Sequence, residues 1–182
     1  AVETKVEGVT DASESLTHFF FDRLRVMMRE AGYTAQEADA VLAKHDTDLA
    51  QTPKKLAAVH KFMQLPESAS LAAANKRIAN ILKKSADVQT GEVDKELLVE
   101  EAEKRLHDVL GDHEPIAKLF YDKGEYEGML ATLTPLKDPV DAFFADVMVN
   151  SEDEKLRLNR LALLKRLYSL MNRVAELSRL AI

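Results

Sequence analysis

The sequence has no cysteine, and only six glycines and five prolines among its 182 residues. Without cysteine there is no disulfide and no thiolate metal site, a composition compatible with a reducing cytoplasm. Few Gly and Pro mean few obligatory breaks, which favours long helices. No apolar run is long enough to cross a bilayer, and the opening residues lack a signal-peptide pattern, so no membrane partner is expected. An apolar content of 46% excludes a disordered chain. The length suits one domain with a sizeable core. Residue 1 is Ala rather than Met, which suggests a piece of a longer chain or a processed one.

Catalytic patterns are also missing. The glycines are scattered, so no Gly-rich loop cradles a phosphate. There is no His-Glu-x-x-His, no Glu three residues ahead of any of the five histidines, and no nucleophile elbow. Glu14/His18 and Glu103/His107 are i,i+4 pairs, and His107-Asp108 and His113-Glu114 are neighbours, but such pairs are common on solvated helices. A small helical enzyme finds almost no support, and no metal or cofactor is expected in this chain.

What is present is helical periodicity from end to end, with no stretch of β period, so the fold class is all-α. Residues 1–12 are polar and read as a loose tail, leaving 13–182 as a single helical domain. Leu16, Phe19, Phe20, Leu24 and Met27 mark a first helix, capped by Ser13 or Ser15 and ended by Gly32 in a left-handed position. Thr34 and Glu37 form a capping box for a helix over 38–43. Thr52-Pro53 opens a third helix with Leu56, Val59, Phe62 and Met63 on its core face, and Pro66 closes it. A fourth covers Leu71–Lys84. Ser85–Asp94 reads as a loop, the best candidate for a mobile one.

The second half predicts a helix over 95–110 stopped by Gly111, short helices over 116–121 and 126–133, and another opened by Asp138-Pro139. Ser151 and Glu154 read as a capping box for a long final helix over 152–180. Its seam of Leu156, Leu163, Leu167, Leu170, Val174 and Leu177 is interrupted by Arg160. Tyr168 beside that seam suits either a packed core or stacking on a base.

Net charge is -6, so the whole molecule does not announce a polyanion partner. From Ser151 onward, however, seven Lys/Arg stand against four Asp/Glu, so any polyanion would meet a local basic surface. The densest polar stripe is on the fourth helix, LAAANKRIANILKK. Leu71, Ala74, Ile78, Ile81 and Leu82 face a core, while Asn75, Lys76, Arg77, Asn80, Lys83 and Lys84 lie on the remaining surface. Such donors suit phosphate oxygens and base edges. The same stripe is also what a merely solvated helix face looks like.

Three segments resemble one family closely: FFFDRLRVMMREAGYTAQEADAVLA, LAAANKRIANILKKS and KDPVDAFFADVMVNSEDEKLRLNRLALLKRLYSLMNRVAELSRL. They resemble the C-terminal region of the β subunit of bacterial heterotetrameric glycyl-tRNA synthetases, over roughly Leu16 to Leu180. That region is similar to the helical anticodon-binding domain of arginyl- and cysteinyl-tRNA synthetases, although the Asp-Ala-Leu-Arg tetrad that names the domain is absent here. The resemblance implies a non-catalytic, cytoplasmic domain that grips the anticodon arm of glycine tRNA and binds no DNA. ATP and Mg²⁺ would be used by the whole enzyme, with the aminoacylation centre on the separate α subunit.

Glycine anticodons end in two cytosines, whose amino groups Asp or Glu can accept. The expected tRNA-binding residues are Asn75, Lys76, Arg77, Asn80, Lys83, Lys84, Arg157 and Arg160. Lys165, Arg166 and Arg173 are further sources of charge, and Asn75 and Asn80 are the base-reading candidates. A charge inside an apolar seam, as at Arg160, suits either RNA or an acidic neighbour. A second class stays open: a helical module docking on the rest of the β subunit or on the α subunit, with RNA contacts elsewhere.

Overall fold

The computed structural model describes residues 12–44 and 49–181, with side chains from Phe19 onward. Eight α-helices and no strand occur among the described residues. Of the predicted tail over 1–12, residues 1–11 lie outside the described backbone and Ala12 opens the first helix; the side chains of Glu14 and His18 lie outside the described ones.

The helices are α1 (Ala12–Glu30), α2 (Ala35–Leu42), α3 (Thr52–Met63) and α4 (Ser68–Lys84) in the first half. The second half supplies α5 (Glu101–Asp122), α6 (Tyr126–Ala131), α7 (Lys137–Asp146) and α8 (Glu154–Met171). Buried apolar residues form one connected cluster, from Met28 on α1 to Leu180 near the end. Its centre is α8, where Leu163, Leu164 and Leu167 are fully enclosed, and α4, which buries Leu71 and Ile78 against it.

Local chemistry sets several boundaries as the sequence predicts. Gly32 takes φ 96° after α1, a conformation that glycine adopts at no steric cost. Thr34 caps α2, with Glu37 reaching back to the Thr34 amide at 2.7 Å. A proline opens α3, where the missing N–H costs nothing.

Other boundaries differ, each for a visible reason. Ser13 and Ser15 fall inside α1, which starts at Ala12. Phe19, Phe20 and Met27 face outward rather than into the core; Phe19 is 64% and Met27 60% exposed. Asp94 caps only a short 3-10 turn (Lys95–Leu97), accepting from the Glu96 amide. The main helix then starts at Glu101 and runs through both Gly111 and Pro115 to Asp122. Pro115 has no N–H to give the Gly111 carbonyl. Leu106, Leu110 and Ala117, all buried, hold the two halves in one line. Tertiary packing therefore overrides both breakers.

α7 begins at Lys137, directly after a 3-10 turn (Thr134–Leu136), so Asp138 lies in its first turn and is not its cap. Asp153, not Ser151, caps α8: its Oδ1 accepts from the amides of Lys155 and Leu156 at 2.9 and 3.2 Å. The final helix stops at Met171 rather than near residue 180. Asn172 breaks it by accepting the Leu177 amide on Oδ1 and donating to the Tyr168 carbonyl. The chain then folds back as a 3-10 turn (Leu177–Leu180) that lies on α2 and α4. One backbone bond, Glu176 N–H to the Ala40 carbonyl at 2.8 Å, pins this return.

Candidate nucleic-acid interface

The polar residues of α4 divide by position. Asn75 stands four residues after Leu71 and three before Ile78, so it shares their inward face. It is fully buried and exchanges two hydrogen bonds with Asn172, at 2.8 and 3.0 Å. Its amide is consumed inside the bundle, and the expectation that it reads a base is corrected. Lys76, Arg77, Asn80, Lys83 and Lys84 are exposed. Lys76 reaches the Ala181 carbonyl at 3.5 Å. Among the described residues Asn80, Lys83 and Lys84 have no hydrogen bond or ion pair. Lys83 and Lys84 also sit in the last turn of α4, where cations complement the helix dipole.

Arg160 is corrected as well. It is 5% exposed, and its Nε donates to Glu103 Oε1 at 2.7 Å. Its Nη1 donates to the Met148 carbonyl at 2.8 Å. Glu103 in turn accepts the amides of Val99 and Glu100 on Oε2. The pair is a buried clamp between the starts of α5 and α8 and the segment after α7. The acidic neighbour, not RNA, answers the charge in the seam. Arg157 is half-buried, lies 3.7 Å from Glu154, and makes no hydrogen bond or ion pair to α4 among the described residues. Tyr168 is half-buried and donates to Glu176 at 2.8 Å. Burial, and then this bond, push its phenol up to about 12.

The histidine neighbours resolve into ordinary partners. His107 lies 3.3 Å from Asp108, His113 Nδ1 lies 2.9 Å from the Val109 carbonyl, and Glu114 holds Arg166 through two 2.8 Å bonds. Asn159 clamps the end of the 85–94 loop by bonding both backbone groups of Asp94.

Two grooves flank the helices just described. One, of about 480 Å³, runs between Thr90–Val93 and α8 and contains His107, Lys165, Arg166 and Ser169. Arg166 is already committed to Glu114 there, leaving Lys165 as its unpaired cation among the described residues. The other, of about 430 Å³, lies between α4 and α7 and is lined by Ser70, Ala73, Arg77, Asp141 and Phe144. The Arg77 guanidinium carbon stands 4.1 Å above the centre of the Phe144 ring. Phe144 is itself held edge-on by Phe143, which is buried in the core. Asp141 accepts from Ser70 Oγ at 3.1 Å and from Lys137 Nζ at 2.9 Å. Asp141, then Asp138, raise the Lys137 ammonium above its ordinary value.

The groove and the free cations share one line. Ser70, Ala73, Arg77, Asn80 and Lys84 recur at three- and four-residue steps and so lie along one face of α4. Sequence reasoning found the α4 half of this surface. It missed Asp141 and Phe144, whose place beside Arg77 depends on how α7 crosses α4.

Exposed cations along α4, with Lys83 and Lys84 unpaired among the described residues, are donors suited to phosphate oxygens. The DALR anticodon binding domain family matches residues 71–177, more than half of the chain, and the chain belongs to that family. The match opens at the first inward Leu of α4 and includes α7 and α8.

Over its whole length the chain is similar to glycine–tRNA ligase beta subunits. It is 52% identical over 181 residues to that of Leptothrix cholodnii and 51% identical over 182 residues to that of an Acidovorax species. It is 51% identical over 176 residues, 97% of the chain, to that of Dechloromonas aromatica. In all three the match covers 25% of the relative, so the chain spans about a quarter of the length of these proteins.

Proposed function

We propose that this chain holds the anticodon arm of glycine tRNA on behalf of a glycine–tRNA ligase. The supporting observation is the line of exposed side chains from Arg77 through Asn80 to Lys84, unpaired at its Lys end in an otherwise acidic protein. Lys76 and Lys83 flank it, and the whole line lies inside the stretch matched by the anticodon-binding family. Phosphates of the arm would lie along the cations, which fix position without reading sequence. Glycylation with ATP and Mg²⁺ belongs to the complete cytoplasmic enzyme, the alpha subunit carrying the reacting centre and the remainder of the beta subunit being the other partner.

The test is a titration of the chain and its Arg77→Ala and Lys84→Ala variants with an anticodon-arm hairpin at two salt concentrations. Each lost phosphate contact should weaken all hairpins about equally and flatten the log–log salt slope by roughly 0.7 to 0.9. Unchanged affinity and slope in both variants would remove α4 from the interface.

A second, compatible reading concerns α1. Phe19, Phe20, Val26 and Met27 are exposed there beside an apolar cleft of about 220 Å³ that includes Leu24, Tyr33 and Leu56. The relatives carry about three times as much further chain, and an apolar helix face of this kind suits docking of that remaining beta-subunit chain. α1 packs on α2 rather than on α4, so docking and RNA binding would use different faces. Met27→Lys should release the chain from the rest of a beta subunit supplied in trans; retained association would end this reading.

A further inference from the structure

We propose that the groove between the 90–93 loop, α5 and α8 is a binding site for a small phosphate monoester. The site goes beyond the RNA-binding reading, which uses none of its residues.

At about 480 Å³ the groove falls in the range of clefts that hold small ligands, roughly 300–1,000 Å³. Three parts of the chain wall it: Thr90 and Glu92 from the loop, His107 from α5, and Lys165, Arg166 and Ser169 from α8. Asn159 holds both backbone groups of Asp94, so the loop wall is anchored without a ligand.

Two of these residues carry buried polar groups that the fold does not use. The Thr90 hydroxyl oxygen is enclosed and has no hydrogen-bond partner. Folded proteins leave few such oxygens unless a water, an ion or a ligand completes them. His107 is 8% exposed. Asp108 lies 3.3 Å from its Nδ1, which favours a proton on that nitrogen. Its Nε2 makes no hydrogen bond among the described residues and is left as an acceptor.

The α8 wall supplies the positive charge. Lys165 is exposed and unpaired among the described residues. Arg166 gives Nε and Nη2 to Glu114, and its Nη1 keeps its donors. With the Ser169 hydroxyl, these groups can donate to three phosphoryl oxygens.

The set fits a phosphate that ends a molecule better than one inside a strand. A singly ionised monoester carries a P–OH that donates to His107 Nε2, and an internal diester has no such hydrogen. Towards a doubly ionised monoester the same ring donates as imidazolium. The rim points the same way. Glu92 and Asp108 are exposed carboxylates, which repel the flanking phosphates of a nucleic-acid backbone. A small monoester brings no flanking phosphates.

The experiment titrates the whole chain with ribose 5-phosphate at constant ionic strength, by calorimetry and by thermal midpoint. Wild type should bind saturably and be stabilised by mass action. Inorganic phosphate, which shares the recognised group, should compete, and ribose alone should do nothing. Lys165→Ala should weaken binding roughly tenfold or more. Thr90→Val removes the hydroxyl at nearly constant volume. It should raise the midpoint of the free chain, because an unpartnered buried oxygen is lost, and also weaken ribose 5-phosphate. A hydroxyl without a ligand role would move the midpoint and leave affinity alone. No saturable binding to wild type, or equal affinity in wild type and both variants, overturns the site. An anticodon-arm hairpin lacking terminal phosphates should leave the sugar phosphate bound. Its displacement by that hairpin would assign the groove to RNA and overturn the monoester site. The α4 titrations decide RNA binding independently.

Discussion

Asn75 on α4 and Asn172 just past α8 exchange both of their amide hydrogen bonds, at 2.8 and 3.0 Å, in the interior of the bundle. Asn172 uses its remaining capacity on the Leu177 amide and the Tyr168 carbonyl. Four hydrogen bonds thus run through two side chains.

Asn75→Ala should therefore destabilise the fold by about 1–3 kcal/mol, because it leaves the Asn172 amide partly unpaired in a buried site. Denaturant unfolding measures this. The same variant should keep its affinity for an anticodon hairpin at concentrations where it is folded. Lost affinity at unchanged stability would instead return Asn75 to the RNA surface.

The Arg160–Glu103 clamp predicts a larger loss. Arg160→Ala leaves a fully enclosed carboxylate without its countercharge and should cost about 3–5 kcal/mol. Replacing both partners by apolar residues should not restore stability, because Glu103 also accepts the Val99 and Glu100 amides at the start of α5. A double variant as stable as wild type, by thermal or denaturant melting, would show those two bonds to be dispensable.

Tyr168 gives a dependence on pH. Its phenol is raised from an ordinary 10.0 to about 12 by burial and by the bond to Glu176. A folded value above the unfolded one means that the neutral phenol is the form the fold favours. Its contribution is complete below about pH 10 and is lost as pH climbs through about 12. Of the four tyrosines, the one removed by Tyr168→Phe should be a late titrator in tyrosinate absorbance. If the absorbance lost in that variant titrates near the ordinary 10.0 instead, Glu176 and burial do not act on this ring.

The helical class, the start of α3 and the capping box of α2 were legible because local chemistry dictates them. The run of α5 through Gly111 and Pro115 was not, since nothing local says that Leu110 and Ala117 will be buried on one line. At Asn172 a single amide, with no Gly or Pro beside it, breaks a strongly apolar pattern. Of the candidate interface, Lys76, Arg77, Asn80, Lys83 and Lys84 lie exposed where their spacing puts them. The polarity of Asn75 suggests the surface, but its register with Leu71 and Ile78 turns it into the core. Arg160 was misread toward RNA because its partner, Glu103, lies 57 residues away. Asp141 and Phe144 could not be joined to Arg77 without the crossing of two helices.

The return of the chain after Asn172 also governs the order in which the domain can be made. α4 buries its inner face against Leu177–Leu180, and Asn75 waits 97 residues for its partner. A nascent chain emerging from the ribosome therefore holds α4 with one side uncovered until synthesis has passed Leu180. Contacts so distant along the chain close late and slow the search for the native state. In the interval the Leu71 and Ile78 side chains are what a chaperone would meet.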